Sequence, residues 1–179
     1  MNDQDRLIQR LRKWDEQALA EVFDTYAPAI YRYAYRLLGH RETAQDIAAE
    51  TFQRFLSALK NGGGPQHNLP AWLYRVAHNL VVDYYRRGSQ MEPLPLEDLT
   101  LSDMDTNEQT VLRGEKEARL REALWRLTEA QQQVIALRFL EGLSNEETAR
   151  ILGGTTGSVK ALQHRAINSL RRLLEVEHE

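Results

Sequence analysis

The sequence predicts an all-α protein made of two small helical domains joined by an acidic linker. Apolar residues recur at helical spacing along most of the 179 residues, and no segment shows the alternation of a β-strand. Between 89 and 114 this periodicity is lost, and prolines and acidic residues take its place. The pattern therefore assigns residues 1–88 to one domain and residues 115–179 to a second.

The composition restricts the class of protein. Hydrophobic residues make up 42% of the chain, which is enough for packed cores. Because the formal net charge is −3, a basic surface for nucleic acid would have to be local. The lack of cysteine excludes disulfides and thiol chemistry. A charged first segment and the lack of an apolar run of ~20 residues predict a cytoplasmic protein with no membrane segment.

Five helices are expected in the first domain. Apolar spacing near the start of the chain indicates a short helix that includes Trp14. Pro28 is expected to separate a second helix from a third, because proline favours the first turn of a helix. A fourth helix is predicted over about 42–59 and a fifth over about 70–87. The Asn-Gly-Gly-Gly-Pro run at 61–65 cannot be helical and separates these two.

The linker over 89–114 is expected to be flexible and acidic. No lysine or arginine occurs from Gly88 to Leu112, and two prolines interrupt the chain there. The acidic residues of this stretch are Glu92, Glu97, Asp98, Asp103, Asp105 and Glu108. This composition is typical of a tether between two domains.

Capping boxes mark two helices of the second domain, which is expected to begin near Glu115. The pair of Thr128 and Gln131 opens the first of these helices. Its apolar positions, up to Leu137 and Phe139, are expected to face the core.

The second capping box leads into a helix-turn-helix pattern. Ser144 with Glu147 opens a helix that reaches Leu152. The glycine pair at 153–154 supplies a tight turn, and a long helix with an apolar stripe follows. A short helix, a glycine-containing turn and a longer helix are typical of helix-turn-helix DNA-binding domains.

The last helix is the candidate DNA-reading element, because the N-terminal residues of the second helix in this motif contact base edges. The candidate DNA-contacting residues are Thr155, Thr156, Ser158, Lys160, Gln163, His164 and Arg165. Hydroxyl groups and a helix N-terminus suit phosphates, whereas lysine and glutamine suit base edges or the backbone. No acidic residue lies between Glu147 and Glu175, so this face is locally basic. A helical bundle with a solvated basic helix is the alternative.

Motifs in both domains resemble one family. Residues 127–172 resemble region 4 of bacterial sigma factors, although other transcription activators share a similar helix-turn-helix. Residues 46–52, which read DIAAETF, resemble the region 2 motif D-x-x-x-E-T-F. Residues 72–87 resemble the promoter-melting motif W-L-x-x-x-A-x-N-x-x-x-D-x-x-R-R. In this order the motifs resemble the extracytoplasmic-function sigma factors of the sigma-70 family, over about residues 15–174.

The resemblance implies a sigma factor, which is a recruitment subunit and not an enzyme. Such a protein binds core RNA polymerase, with region 2 on the clamp and region 4 on the flap. It directs promoter-specific initiation through the −10 and −35 elements of promoter DNA. No cofactor and no metal is implied. The resemblance leaves open whether an anti-sigma factor also binds, and whether the acidic linker mimics nucleic acid or is only a solvated tether.

The resemblance also implies residue roles. Polymerase contacts are implied for the polar face of the fourth helix, at Asp46, Glu50 and Gln53. On the fifth helix, the implied DNA contacts are Trp72, Arg75, Asn79, Asp83, Arg86 and Arg87. Asparagine can pair with a base edge, and arginine can hold phosphate. Trp72 and Tyr85 offer flat surfaces to unstacked bases, with core packing as the alternative for Trp72.

Three positions depart from the family pattern. Ala49 stands where the family often has glutamine, which would remove one polymerase contact. Leu162 stands where an arginine often contacts DNA. The glycine loop at 62–64 is unusual and lies where the family captures a flipped promoter base, so that pocket cannot be assigned residue by residue.

Three other functions compete with this interpretation. A conventional activator or repressor would leave the 72–87 motif unexplained, and a helical adaptor would leave the basic last helix unexplained. An enzyme could use the carboxylate row of Glu42, Asp46 and Glu50 to bind Mg²⁺. No second carboxylate helix of suitable spacing accompanies that row.

Overall fold

The computed structural model describes residues 1–88 and 108–176, and within these ranges the chain folds into eight α-helices with no strand. The helices are α1 (Asp3–Arg12), α2 (Glu16–Leu38), α3 (Arg41–Lys60), α4 (Leu69–Gly88), α5 (Glu108–Trp125), α6 (Glu129–Ile135), α7 (Asn145–Leu152) and α8 (Thr156–Val176), and a π-helical turn (Ala136–Leu140) directly follows α6. The prediction of an all-α fold is confirmed. Of the helices in the described ranges, none has the length and hydropathy needed to cross a membrane.

Helix α1 ends before Trp14, so the prediction that this tryptophan belongs to the first helix is wrong. Trp14 takes a left-handed backbone conformation with φ of 57° and is 45% exposed, because the chain turns here towards α2. Asp15 then caps α2 and accepts hydrogen bonds from the N–H groups of Gln17 and Ala18 at 3.0 and 3.1 Å. A hydrogen bond from Arg10, together with the backbone bonds, holds the pKa of Asp15 below its ordinary value.

The prediction of two helices separated at Pro28 is also wrong, because α2 continues through this residue. An internal proline removes one backbone hydrogen bond and costs about 3 kcal/mol. Val22 before the proline and Ile30 after it are both buried in the same core. Burial of the two apolar stripes against one surface offsets the lost bond, so a single helix forms.

The first domain is built on three long helices. Helices α2, α3 and α4 pack on one another, and α1 lies against α2 and α3. Its fully buried large side chains are Leu11, Val22, Ile30, Tyr33, Leu37, Phe55, Leu69, Leu73, His78 and Val81. The packing fixes the rotation of α3 and α4, and therefore decides which of their polar side chains reach the surface.

Helix α5 extends into the predicted linker, because it begins at Glu108 and not near Glu115. Ala123 and Leu124 are buried at its C-terminal end, and a helix anchored at one end propagates at little cost per added residue. The remainder of the linker, residues 89–107, lies outside the described residues. The acids Glu92, Glu97, Asp98, Asp103 and Asp105 belong to that segment.

A π-helical turn changes the register after α6. The N–H of Glu141 donates to the carbonyl of Ala136 at 2.9 Å, a five-residue spacing that adds one residue to the turn. Leu137 is buried, but Phe139 is rotated outwards and is 52% exposed. The prediction that Phe139 faces the core is therefore wrong. Its ring is approached by the guanidinium of Arg138, which lies 5.9 Å from the ring centroid.

The two domains lie in contact. The apolar cluster of the first domain continues into the second through Ala136, Leu137 and Ile151. A separate cluster holds the helix-turn-helix together and contains Leu124, Leu127, Val134, Ile135, Ala149, Val159 and Ala166. Helix α7 packs on α4, and α5 packs on α2.

Candidate nucleic-acid interfaces

The turn before α8 is held by a reciprocal pair of hydroxyl groups. Thr155 Oγ1 accepts from the N–H of Ser158 at 3.1 Å, and Ser158 Oγ accepts from the N–H of Thr155 at 2.9 Å. Gly153 ends α7 with φ of 75°, a conformation that favours glycine. A Cβ at Gly154 would lie 2.6 Å from Ser158 Oγ. The two glycines therefore permit the tight approach that aims α8.

This geometry decides what the start of α8 can offer to DNA. The Ser158 hydroxyl also donates to the carbonyl of Thr155 at 2.8 Å, so its bonding capacity is used locally. The first N–H groups of a helix have no acceptor within the helix, and together with the helix dipole they attract anions. The backbone around Thr156 and Gly157, both exposed, is therefore better placed for phosphate than the Ser158 side chain is.

Further along α8, the predicted DNA contacts divide into exposed and internally bonded residues. Lys160, His164 and Arg165 are exposed, and His164 Nε2 lies 3.2 Å from Asn168 Nδ2. Gln163 is half-buried, and its Oε1 accepts from Arg138 Nε at 3.3 Å. Lysine and arginine are thus the side chains most available to DNA on this helix.

Leu162 is half-buried and packs against the second apolar cluster. It therefore faces the interior of the helix-turn-helix more than the surface.

The polar side of α4 carries the other predicted DNA contacts. Arg75, Asn79, Asp83, Arg86 and Arg87 are all exposed. Spacing of three and four residues places most of them on one face. The helix is started by Asn68, whose side chain accepts from the N–H of Ala71 at 3.0 Å.

The two aromatic residues predicted to stack on bases are already in contact with protein. Trp72 is half-buried and its ring lies 5.8 Å from that of Phe55, so core packing accounts for part of its surface. Tyr85 is 39% exposed, and one face of its ring stacks on Trp125 of α5. Each aromatic residue has only part of its surface available to a base.

A histidine that the sequence did not single out lies inside α4. His78 is 1% exposed, and its Nδ1 lies 2.7 Å from the Tyr33 hydroxyl. Its Nε2 has no hydrogen-bond partner and lies 3.8 Å from a carboxylate oxygen of Glu129 in the second domain. Burial lowers the pKa of His78 to about 4, so it is neutral at pH 7. With Arg75 and Ile151 it lines a cavity of about 80 Å³ between the domains.

Helix α3 presents the predicted polymerase contacts to solvent. Asp46, Glu50 and Gln53 are exposed, and Glu50 Oε1 pairs with Arg54 Nη2 at 2.7 Å. Thr51, on the opposite side, is buried and donates to the carbonyl of Ile47. The face is therefore polar and accessible along about two turns.

The alternative of a Mg²⁺ enzyme gains no support from the row of Glu42, Asp46 and Glu50. Across residues 1–88 and 108–176, no group of three or more acidic or histidine side chains is arranged to hold a metal ion.

The contacts that sequence reasoning missed lie between the domains and involve Arg121, Trp125 and Glu141. Periodicity assigned all three to helices but gave no sign of their partners.

Two family profiles match the chain. Sigma-70 region 2 matches residues 22–90, and Sigma-70, region 4 matches residues 123–172. Among curated proteins, the ECF RNA polymerase sigma factor BldN of Streptomyces coelicolor is 36% identical over 94% of this chain, which spans 64% of that protein. RNA polymerase sigma factor YlaC of Bacillus subtilis is 32% identical over 90% of this chain and 95% of its own length. ECF RNA polymerase sigma factor SigW of Bacillus subtilis is 30% identical over 93% of this chain and 94% of its own length.

A solved structure has a similar arrangement. CnrH in complex with the cytosolic domain of CnrY aligns with a TM-score of 0.67 and 26% identity, over 97% of this chain and 99% of CnrH. The sigma factor RpoE of Bartonella quintana, solved with the anti-sigma factor NepR, shares the fold at a TM-score of 0.57 and 24% identity, over 88% of this chain and 96% of that chain.

Proposed function

We propose how this chain, which belongs to the extracytoplasmic-function family of RNA polymerase sigma factors, directs promoter-specific initiation. Helix α8 binds the −35 element, α4 binds the opened strand of the −10 element, and α3 docks on the polymerase. Sigma factors are in general not enzymes, and in this role the chain contributes recognition without a catalytic group. A cytoplasmic location follows from the same role.

The accessible cations of α8 are the observation that carries this proposal. Lys160 and Arg165 are exposed on the N-terminal half of a helix whose entry angle is fixed by the Thr155–Ser158 cap. No acidic residue interrupts this surface before Glu175. A helix-turn-helix places this part of its second helix in the major groove, where lysine and arginine contact guanine or phosphate.

Helix α4 is proposed to act on the opened strand. Asn79 and Arg75 occupy its exposed polar side, with Arg86 and Arg87 about two to three turns further along. An amide side chain can read a base edge that is accessible only after the base leaves the stack, which itself costs a few kcal/mol. Contacts made only to the opened strand offset that cost.

Polymerase docking is proposed for the exposed face of α3, at Asp46, Glu50 and Gln53. The first domain would contact the clamp there, while the second domain contacts the flap. Polymerase is needed for affinity as well as position, because a few phosphate contacts on α8 give binding that is weak and sensitive to salt. We therefore expect the free chain to bind promoter duplex weakly, and a gel shift showing tight, specific binding without polymerase contradicts this.

Run-off transcription with core RNA polymerase on a mapped promoter tests the residue roles. Lys160→Ala and Arg165→Ala are expected to lower transcript yield about 5- to 150-fold each, as loss of a base or phosphate contact worth about 1–3 kcal/mol predicts. Arg171→Ala, an exposed arginine at the distal end of α8, is the matched control and should keep near-normal yield. Equal yields in all variants would refute the assignment.

Control by an anti-sigma factor is proposed from the similarity to CnrH, whose structure contains the cytosolic domain of CnrY. The apolar surface of α8 near Ile167, Leu170 and Leu174 is one place where such a partner could pack. Affinity purification of the tagged chain from its native cells, without crosslinking, should recover a stoichiometric partner other than polymerase subunits. Recovery of polymerase alone under inducing and non-inducing conditions speaks against this control.

A further inference from the structure

Gln163 on α8 is held by an arginine from another element of the same domain. Arg138 belongs to the π-helical turn, and its Nε donates to Gln163 Oε1 at 3.3 Å. Its Nη1 donates to the carbonyl of Leu143, in the segment that leads into α7. Both Arg138 and Gln163 are half-buried. One guanidinium therefore bonds to the segment before α7 and to α8 together, and it keeps the Gln163 amide in place.

The chemistry of Arg138 decides which end of the Gln163 amide is free. A guanidinium has five N–H donors and no acceptor, so only the amide oxygen can face it and the amide nitrogen points away. Within residues 1–88 and 108–176 this nitrogen donates to no protein group. The buried polar side-chain atoms without a partner in these ranges belong to His78, Asn145 and Thr148. The Gln163 nitrogen is not among them and is therefore accessible to solvent.

The free amide nitrogen lies beside other candidate DNA contacts. Thr156, Lys160 and Gln163 follow one another at spacings of four and three residues, which places them on one face of α8. Thr156 and Lys160 are exposed. Val159 and Ala166, which are buried, lie on the adjoining face. Since a helix-turn-helix places this half of its second helix in the major groove, the amide nitrogen is positioned at the edge of the surface that meets the bases.

A side chain that can only donate distinguishes between base edges in the major groove. Guanine presents the acceptors N7 and O6 and thymine presents O4, whereas cytosine presents only the N4 donor. A freely rotating glutamine pairs with adenine through both ends of its amide, accepting from N6 and donating to N7. With its oxygen engaged by Arg138, Gln163 loses that double pairing. The held amide therefore favours guanine or thymine, and it is least compatible with cytosine.

We propose that Arg138 is a positioning residue for promoter recognition, and that it makes Gln163 a hydrogen-bond donor that selects guanine or thymine at one position of the −35 element. The proposal rests on the binding of that element by α8 and adds a residue that determines its sequence preference. Arg138 acts through Gln163 and does not itself contact a base.

A promoter library tests the selectivity of Gln163. Each position of the −35 element of a mapped promoter is randomised, and DNA bound by core polymerase loaded with the chain is sequenced against unbound DNA. At one position the unmodified chain should favour guanine or thymine over cytosine by about 2- to 10-fold, the range for one hydrogen bond. Gln163→Glu keeps an oxygen for Arg138 but has no N–H to donate. It should lose this preference and keep those at all other positions, because its added charge weakens binding to every sequence alike.

Substitution of Arg138 tests whether it acts through Gln163. Arg138→Met keeps an unbranched side chain but removes every donor, so the Gln163 amide is free to rotate. Adenine should then be bound at the same position about 2- to 10-fold better relative to cytosine than by the unmodified chain. Arg150→Met is the matched control, since it removes an exposed arginine from α7 in the same domain. It should leave all base preferences unchanged.

A double variant separates positioning from a general effect on the fold. In a Gln163→Leu background, which lacks the amide, Arg138→Met should cause no further change in base preference. Circular dichroism melting identifies any variant that is unfolded. If Arg138→Met is unfolded, Arg138→Lys takes its place in both tests, because a single ammonium group cannot reproduce the planar fork that bonds Gln163 and the Leu143 carbonyl.

The proposal and the function on which it rests fail differently. Unchanged base preferences in Gln163→Glu, with binding still weakened by Lys160→Ala, would overturn the selectivity of Gln163 and leave α8 as the element that binds the promoter. A changed preference in Gln163→Glu but none in the Arg138 variants would overturn the positioning role of Arg138. Promoter binding that neither Lys160→Ala nor Arg165→Ala alters would instead remove the proposed function of α8.

Discussion

The two helices proposed to contact DNA differ in what holds them in place. Helix α8 is positioned by contacts within its own domain, through the Thr155–Ser158 cap and the apolar cluster beneath Val159. Helix α4 is enclosed by two domains, with His78 buried between them and Tyr85 stacked on Trp125. The geometry of α8, the proposed duplex-reading helix, is therefore set within its own domain, whereas the surroundings of α4, the proposed strand-binding helix, depend on the relative position of the two domains.

This difference has a physical consequence for mutations. Changes at the surface of α8 should act locally and additively, because the side chains there share few partners. Changes along α4 should alter stability, packing between the domains and DNA binding together.

Acid should destabilise the fold through His78. The unfolded chain carries this histidine with its ordinary pKa of 6.5, and the folded chain with a pKa of about 4. Below pH 6.5 the unfolded state binds a proton that the folded state excludes, so stability is full above pH 6.5 and falls as pH approaches 4. The loss is about 3 kcal/mol, because each pKa unit corresponds to about 1.4 kcal/mol.

Urea denaturation from pH 7.5 to pH 4 measures this loss. His78→Gln should flatten that part of the profile, and His67→Gln, whose side chain is 86% exposed, should not. An unchanged profile in His78→Gln would show that other groups cause the acid sensitivity.

Removal of the α8 cap should have an intermediate effect. Thr155→Ala removes the acceptor for the N–H of Ser158 and should lower the free energy of unfolding by about 1 kcal/mol. Thr156→Ala, at the next and equally exposed position, is the matched control and should change stability much less. Thermal melts of the two variants compare them, and equal shifts would mean that the cap does not hold α8.

The smallest effect on stability is expected at the α3 surface. Glu50 and Arg54 are each about half exposed, so breaking their ion pair should change the free energy of unfolding by no more than about 1 kcal/mol. Glu50→Ala should nevertheless weaken binding of core polymerase, and Arg54→Ala should not. A competition assay against the unmodified chain distinguishes them, and equal losses of polymerase affinity in both would assign the effect to the ion pair instead.

The structural features that were predicted correctly from the sequence are those that depend on local chemistry. The capping boxes at Thr128 and Ser144 form as expected, with reciprocal bonds to Gln131 and Glu147. Short polar side chains at fixed spacing satisfy the N–H groups of a helix end wherever the helix later packs. The helix-turn-helix could be predicted from local chemistry as well. Its turn requires a residue with positive φ, and glycine, here Gly153, adopts that conformation without strain.

Features that depend on packing could not be predicted in this way. Continuation of α2 through Pro28 depends on the core that both halves share, and the outward turn of Phe139 depends on one inserted residue. The pairing of Trp125 with Leu37 and Tyr85 joins residues that are far apart in sequence. Apolar periodicity assigns a side chain to one face of a helix, but it does not show which residues pack against that face.

The contrast between the two helices is tested most directly by separating promoter binding from promoter opening in one assay. Core polymerase with each variant is footprinted on promoter DNA, and permanganate reactivity reports unpaired thymines in the same complexes. Lys160→Ala should lose upstream protection, whereas Asn79→Ala should keep that protection and lose the permanganate signal. Loss of upstream protection in Asn79→Ala, or normal opening in that variant, would contradict this division of roles between α8 and α4.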